Sequence, residues 1–146
     1  MTERYLDGNG VAFSDYRALL PKRAADFPKR RVVKDAELLK TLHAEWSTCA
    51  SCVACGVSVP AWLTAPAVRW LHLHHIAHGA CGRSDERTNI VMLCSYDVDM
   101  GCHSDAHGGK LSLGRLLFCR WQMEPETIDW VRLAVLFGHF LPDLEP

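Results

Sequence analysis

A dense group of metal-capable side chains lies between residues 74 and 107. This stretch reads HHIAHGACGRSDERTNIVMLCSYDVDMGCHSDAH, and a Cys-x-x-Cys pair, Cys52 and Cys55, precedes it. Thiolates and imidazole nitrogens are the ligands that zinc prefers in proteins. Packing alone does not explain so many of them at ordered spacings. We therefore expect two sites, a zinc knot that stabilises the fold and a histidine-rich site that carries out chemistry.

Four cysteines form the predicted zinc knot. A structural zinc takes four sulfur or nitrogen ligands in a tetrahedral arrangement. The segment Cys52-Val-Ala-Cys55-Gly56 is typical of a zinc knuckle, in which a tight turn directs two thiolates at one ion and glycine relieves the backbone. Cys94 and Cys102 supply the second pair, although their spacer is longer than usual.

The other three cysteines leave alternatives open. Cys49-x-x-Cys52 also has knuckle spacing, but the glycine and the strand-like segment that follow Cys55 favour Cys55 as the ligand. Cys81 and Cys119 have no partner at ligand spacing, so we expect them to be small buried side chains. The alternative for the whole set is a group of free core cysteines that binds no zinc.

Histidines supply the second predicted site. Neighbours on a strand point to opposite faces, so His74 can bind a metal while His75 stays free as a general base. His103 and His107 are four residues apart, which places them on one face of a helix. Together with His74 they leave coordination positions open for water and substrate. Imidazoles suit Zn²⁺, Ni²⁺ or Mn²⁺, and phosphate-rich substrates often bring Mg²⁺.

Three residues beside this group have open roles. Asn89 either holds the ring of His75 or braces the backbone, as outer-shell groups do at metal sites, or it is an ordinary turn residue. His72 and His78 flank the motif, and either can replace His107 as a ligand.

Hydrophobic periodicity predicts the elements that position these side chains. Asp35 is a typical helix N-cap, and a Leu/Trp stripe behind it predicts a helix that ends near Ser47. Residues 57–63 and 68–76 alternate like the strands of a hairpin, and 89–93 is a short apolar run. Further helical segments are predicted at 101–107, 112–121 and 125–138, the last with Pro125 in its first turn.

Length and composition predict one globular domain. The chain has 146 residues, of which 49% are hydrophobic and 23% charged. No apolar run approaches the roughly 20 residues that a membrane helix needs. The N-terminus lacks the apolar core of a secretory signal, and with seven cysteines this favours a reducing compartment, the cytoplasm.

Charge is balanced overall but clustered locally. The net charge of −1 does not by itself indicate a nucleic-acid-binding protein. A local basic cluster can nevertheless contact phosphates, while its alternative is a solvated arm. The cluster consists of Lys22, Arg23, Lys29, Arg30, Arg31 and Lys34, opposed only by Asp26.

The motif order resembles one nuclease family. The run LHLHHI, a glycine-containing polar loop, Asn-Ile-Val-Met-Leu-Cys and Cys-His-x-x-x-His together resemble the HNH endonucleases, which are ββα-metal (His-Me finger) nucleases often encoded by phages and mobile elements. The resemblance covers about residues 52–109. It implies an α+β fold with a ββα-metal core that carries the four-cysteine zinc knot (49–110). The N-terminal helical and basic extension (1–48) and the C-terminal helices (111–146) are predicted from the residue pattern and match nothing in the family.

The resemblance also implies residue roles. His75 matches the general base of the family and Asn89 its central asparagine. His74 matches the metal ligand before the base, which is often Asp in the family. His103 matches the closing histidine, and His107 an extra histidine of some members. The cysteines match the zinc-stabilised subgroup.

The implied function is metal-dependent hydrolysis of phosphodiester bonds in DNA, leaving a 5′-phosphate, in a bacterial or phage-infected cell. A homodimer would be the simplest way to cut both strands. The alternative is a non-catalytic zinc-stabilised module that binds nucleic acid or protein. Another metallohydrolase activity has little support, because no His-Glu-x-x-His helix is present. The arginines expected to contact the DNA backbone are Arg30, Arg31, Arg69, Arg83 and Arg87.

Overall fold

The fold is described from a computed structural model, which covers residues 19–47, 52–55, 71–79, 82–95 and 101–138. It combines helices with a two-stranded antiparallel sheet, so the predicted α+β class is confirmed. No helix in these ranges has the length and apolar composition that crossing a membrane requires. The elements are α1 (Ala36–Ser47), β1 (Leu71–His75), β2 (Ile90–Cys94), α2 (Cys102–His107), α3 (Leu113–Met123) and α4 (Trp130–Leu136), with 3-10 turns at Ala24–Asp26, Arg87–Asn89 and Pro125–Thr127.

Strand β2 is the centre of the core. All five of its residues are buried, because its two faces pack against different clusters. Ile90 and Met92 pack in the cluster that contains Leu42 and Trp46 of α1. Val91 and Leu93, on the opposite face, belong to the cluster formed with α3 and α4. Strand β2 therefore packs against α1 on one face and against α3 and α4 on the other.

Strand β1 pairs with β2 along its whole length. His75 lies opposite Ile90 and His74 opposite Val91. The sequence predicted a hairpin between residues 57–63 and 68–76. In the described part of the second segment, Leu71–His75 is strand β1, and it pairs with β2. Residues 57–63 lie outside the described part of the chain.

Helix α1 follows the prediction. The Asp35 carboxylate accepts a hydrogen bond from the Leu38 amide at 3.0 Å, which satisfies one of the free amides of the first turn. Leu42 and Trp46, one turn apart, are both buried against the sheet. The cap and the apolar stripe thus fix both the start of the helix and the face that it buries.

The C-terminal region differs from the prediction in one respect. Helix α3 is confirmed, and Ser112 caps it by accepting the Arg115 amide at 3.1 Å. The predicted 125–138 helix is instead a 3-10 turn that ends at Thr127 and a separate helix, α4, whose N-cap is Asp129. Its amide donates to Thr88 Oγ1 at 2.9 Å, and its carboxylate accepts the Arg132 amide as the N-cap of α4.

Candidate metal centres

Four cysteine thiols meet in one place. The sulfurs of Cys52, Cys55, Cys94 and Cys102 all lie within 4.8 Å of one another, and such a group can hold a metal ion such as zinc. The Cys55 and Cys94 sulfurs are 3.7 Å apart. A disulfide would need about 2.05 Å. A tetrahedral zinc with bonds of about 2.3 Å separates its sulfurs by about 3.8 Å. The spacing therefore fits metal ligands and not a disulfide.

Three chain segments bring these thiols together. The 52–55 turn is tied to β2 by a hydrogen bond from the Val53 amide to the Met92 carbonyl at 3.3 Å. Cys94 ends β2 and Cys102 begins α2, and the Cys102 amide donates to the Cys94 sulfur at 3.4 Å. Gly101 makes this approach possible, because it has φ +105° and a Cβ there would lie 2.7 Å from the Cys94 carbonyl oxygen.

The thiols differ in their acidity. Burial acts to raise the pKa of Cys52, but backbone amides, with that of Cys55 the largest contributor, outweigh it and leave the pKa lowered. Burial raises the pKa of Cys94 and of Cys102. A cation bound among the four sulfurs would favour the thiolate form of all of them, as zinc does in structural sites.

Three histidines form a second group. Ligand nitrogens of His74, His103 and His107 lie within 4.8 Å of one another. The ring centroids of His74 and His107 are 4.9 Å apart, and those of His103 and His107 are 4.7 Å apart. His74 is buried, and its Nε2 atom has no hydrogen-bond partner within the described ranges. Because a buried polar atom without a partner is costly, the group fits a metal whose ligand this nitrogen would be.

Two histidines of this group, the buried His74 and the half-buried His103, favour the neutral form. Burial, followed by the neighbouring histidines, lowers the pKa of His74 to about 3. Burial and His107 in turn lower the pKa of His103 to about 4. Neutral imidazoles offer the lone pairs that a metal needs, so these two ligands meet little competition from protons near neutral pH.

Two further histidines surround the group. The His72 ring is 5.3 Å from that of His103. The His78 ring is 5.3 Å from that of His74 and 5.4 Å from that of His107. Of the alternatives that the sequence left open, His107 is the one whose nitrogen joins the compact group.

The two neighbours on β1 diverge as predicted. His74 joins the imidazole group, whereas His75 is directed to Asp85, with 2.8 Å between His75 Nε2 and Asp85 Oδ1. Both still border one open pocket of about 300 Å³. The pocket is lined by Leu73, His74, His75, His78, Arg83, His103 and His107.

Asn89 braces the loop between the strands. It is fully buried, and its side-chain oxygen accepts the Ala77 amide at 2.7 Å. Its side-chain nitrogen donates to the Ala77 and Ser84 carbonyls at 3.2 and 3.0 Å. Of the roles considered for Asn89, the geometry favours a backbone brace over a contact with the His75 ring.

The candidate phosphate-binding arginines differ in their position and in their ion pairs. Arg83 lines the pocket and has φ +50°, which is unusual for a residue with a Cβ and recurs at functional sites. Arg87 is bound by the carboxylates of Glu45 and Glu124, which favours a structural role. Arg30 and Arg31 are exposed, in the segment before α1.

The remaining predictions are partly outside the described residues. Cys49, Cys81 and Arg69 belong to ranges that are not described. Cys119 is buried in the apolar face of α3, as expected. Sequence reasoning did not identify Asp85, since its pairing with His75 joins residues ten apart and follows no ligand or cap spacing. The only signal was a carboxylate in the polar loop after the histidines.

Compared with protein-family models, with characterised proteins and with solved structures, the chain gave no match in any of the three.

Proposed function

We propose that this chain is a metal-dependent HNH endonuclease with a ββα-metal core, which hydrolyses phosphodiester bonds in DNA. One observation carries the proposal. A histidine that is not among the three grouped ligands, His75, borders the same pocket as those ligands, His74, His103 and His107. A metal site with a separate base beside it is what hydrolysis by an activated water requires.

The order of elements supports the same proposal. The pocket is lined by residues of β1, of the loop braced by Asn89 and of α2, and β2, which lies between that loop and α2 in the chain, pairs with β1. In chain order these are a strand, a strand and a helix, as in the ββα-metal nucleases, and the four-thiol group corresponds to their zinc-stabilised subgroup. The two ligand groups are joined at the start of α2, where Cys102 belongs to one group and His103 to the other.

In the proposed reaction His75 takes a proton from a water molecule. The water oxygen forms a bond to phosphorus in line with the P–O3′ bond, which breaks, and the leaving 3′ oxygen takes a proton from solvent. A divalent metal held by His74, His103 and His107 would supply stabilisation of negative charge on the phosphate and the leaving oxygen. Arg83 borders the pocket and can contact the same phosphate.

The basic segment before α1 supports DNA as the substrate. Lys34 Nζ donates to the Gly82 and Arg83 carbonyls at 3.0 and 2.7 Å, and the Arg31 carbonyl accepts from Arg132. These contacts hold the segment against the loop that carries Arg83. Arg30 and Arg31 are exposed and belong to this tethered segment, and we propose that they contact the DNA backbone.

A plasmid assay tests the proposal. Supercoiled DNA is incubated with zinc-loaded protein and with Mg²⁺, Mn²⁺, Ni²⁺ or Zn²⁺ added in turn. We expect open-circle or linear product, its loss with chelator, and its loss in His75→Ala. His43→Ala, which changes an exposed histidine of α1, is the matched control and should keep the activity.

The competing function is a binding module without catalysis. Tight DNA binding with no cleavage under any of the four metals would favour it and contradict the nuclease. A cleavage activity that His75→Ala retains would equally contradict the mechanism, because it would place the chemistry elsewhere or in a contaminant.

A further inference from the structure

Asp85 joins His75 to the segment before α1. Its two carboxylate oxygens have different partners, since Oδ1 lies 2.8 Å from His75 Nε2 and Oδ2 accepts the backbone amide of Asp35 at 2.9 Å. We propose that Asp85 is the positioning residue of His75, which holds the ring as its Nε2–H tautomer and leaves the lone pair on Nδ1 to take the proton of the attacking water. This inference rests on the function proposed above.

The carboxylate is fixed from the N-terminal side by a short strap, which we define as residues 33–35. The Asp85 amide donates to the Val33 carbonyl at 2.8 Å, and the Val33 amide donates to Ser84 Oγ at 2.9 Å. With the Asp35 amide on Oδ2, the strap holds the 84–85 loop through three hydrogen bonds. Ser84 and Asp85 are both buried, whereas Val33 is half-buried and Asp35 is exposed, so the strap covers the loop from the solvent side.

The partners of Asp85 favour its ionised form. Burial alone would raise the pKa of Asp85, but the hydrogen bond from the Asp35 amide and the contact with His75 outweigh it, and the pKa is lowered. An ionised carboxylate accepts hydrogen bonds and donates none. A neutral His75 must therefore donate from Nε2, and its lone pair is on Nδ1.

The two partners of Asp85 also determine what Asp85→Asn would do. The Asp35 amide is a donor, so it would keep the carboxamide oxygen on its own side. The carboxamide NH₂ would then face His75 Nε2, which must accept, and the ring proton would move to Nδ1. The substitution would thus keep the size and both hydrogen bonds of Asp85 while reversing the tautomer. An acid that fixes the tautomer of a catalytic histidine is known to matter greatly for the rate.

The test reads the tautomer directly, independently of activity. NMR on zinc-loaded protein with isotope-labelled histidine nitrogens is recorded at neutral pH, and the His75 ring signals are assigned by their loss in His75→Ala. We expect the Nε2–H form in the natural protein and the Nδ1–H form in Asp85→Asn. We also expect the single-turnover cleavage rate of Asp85→Asn to fall about 100-fold to 10,000-fold, with DNA affinity and metal content unchanged.

Glu37→Gln is the control. It neutralises an exposed carboxylate of α1, which pairs with Lys40 and has no contact with the strap or with His75 among the described hydrogen bonds. This variant should keep both the His75 tautomer and the cleavage rate. An Nδ1–H form in the natural protein, or an Asp85→Asn variant with unchanged tautomer and rate, would overturn the inference.

The two proposals fail in different ways. If the natural protein cuts no DNA, the proposed function fails, but the NMR measurement still decides whether Asp85 sets the tautomer. If the natural protein cuts DNA and the tautomer does not depend on Asp85, the function stands and the inference fails. If Asp85→Asn does not fold, the His75 tautomer of the natural protein still tests the inference, because an Nδ1–H form would overturn it.

Discussion

Cys102 and His103 are neighbours at the start of α2, yet their side chains belong to different ligand groups. Cys102 joins the four-thiol group, and His103 joins the three-imidazole group. Helix α2 has only six residues, too few to be stable alone in water. A metal among the thiols would therefore fix the beginning of α2, and with it the position of His103 and His107 against His74.

The first prediction concerns the thiol group. Cys55→Ser should lose zinc and melt at a much lower temperature, because structural zinc contributes roughly 10 kcal/mol or more in small domains. Elemental analysis and thermal unfolding measure the two effects. Cys119→Ala changes a buried cysteine outside the group and should keep its zinc. Unchanged zinc content in Cys55→Ser would show that the ligand assignment is wrong.

The second prediction concerns Gly101. Gly101 has φ +105° and ψ 172°, a conformation almost restricted to glycine, so an alanine there should destabilise the fold by about 1–3 kcal/mol. Its Cβ would also meet the Cys94 carbonyl. Gly109→Ala is the matched control, since Gly109 has φ +77° and open space around the added Cβ. Gly101→Ala should therefore weaken zinc binding, in a competition titration with a chelator, while Gly109→Ala should not. Equal zinc affinity in the two variants would contradict this account of the turn.

The third prediction concerns Asn89. Asn89→Ala removes three hydrogen bonds and leaves buried groups of Ala77 and Ser84 without their partner. We expect the free energy of unfolding to fall by about 2–4 kcal/mol, measured by denaturant titration of zinc-loaded protein. Gln122→Ala, which removes an exposed amide from α3, should change it by less than about 0.5 kcal/mol. If both variants lose a similar free energy of unfolding, the Asn89 side chain does not brace the loop.

The fourth prediction is a pH dependence of stability. In its native state His74 has a pKa of about 3, against 6.5 when unfolded, so the unfolded chain binds more protons between these values. Stability should therefore fall as pH falls below 6.5, by up to about 1.4 kcal/mol per pH unit for this histidine. Denaturant titrations at several pH values, on protein carrying one equivalent of zinc, should give a shallower dependence for His74→Leu. If the free energy of unfolding depends on pH in the same way in the natural protein and in His74→Leu, His74 is not held neutral by its buried position.

The sequence predicted the parts of the site that follow local rules. The Cys52/Cys55 and His103/His107 pairs could be chosen from ligand spacing, and Asp35 and the Leu/Trp stripe indicated α1. The pairing of β1 with β2 was missed, because alternation in residues 57–63 offered a nearer partner. The break at Asp129 was missed because it depends on Thr88, which is 41 residues away. Asp85 was missed for the same physical reason, since its role arises from contacts with both His75 and the strap.

The most direct test of the central claim compares metal content and cleavage rate in two variants. His75→Ala should retain both bound metals while its rate of phosphodiester cleavage falls about 100-fold to 10,000-fold, as expected for loss of a general base. His103→Ala should lose the metal of the imidazole group and the activity together, with the thiol-bound zinc retained. If His75→Ala cleaves DNA at the natural rate, or if His103→Ala keeps both metals, the base and the metal centre are not where this account places them.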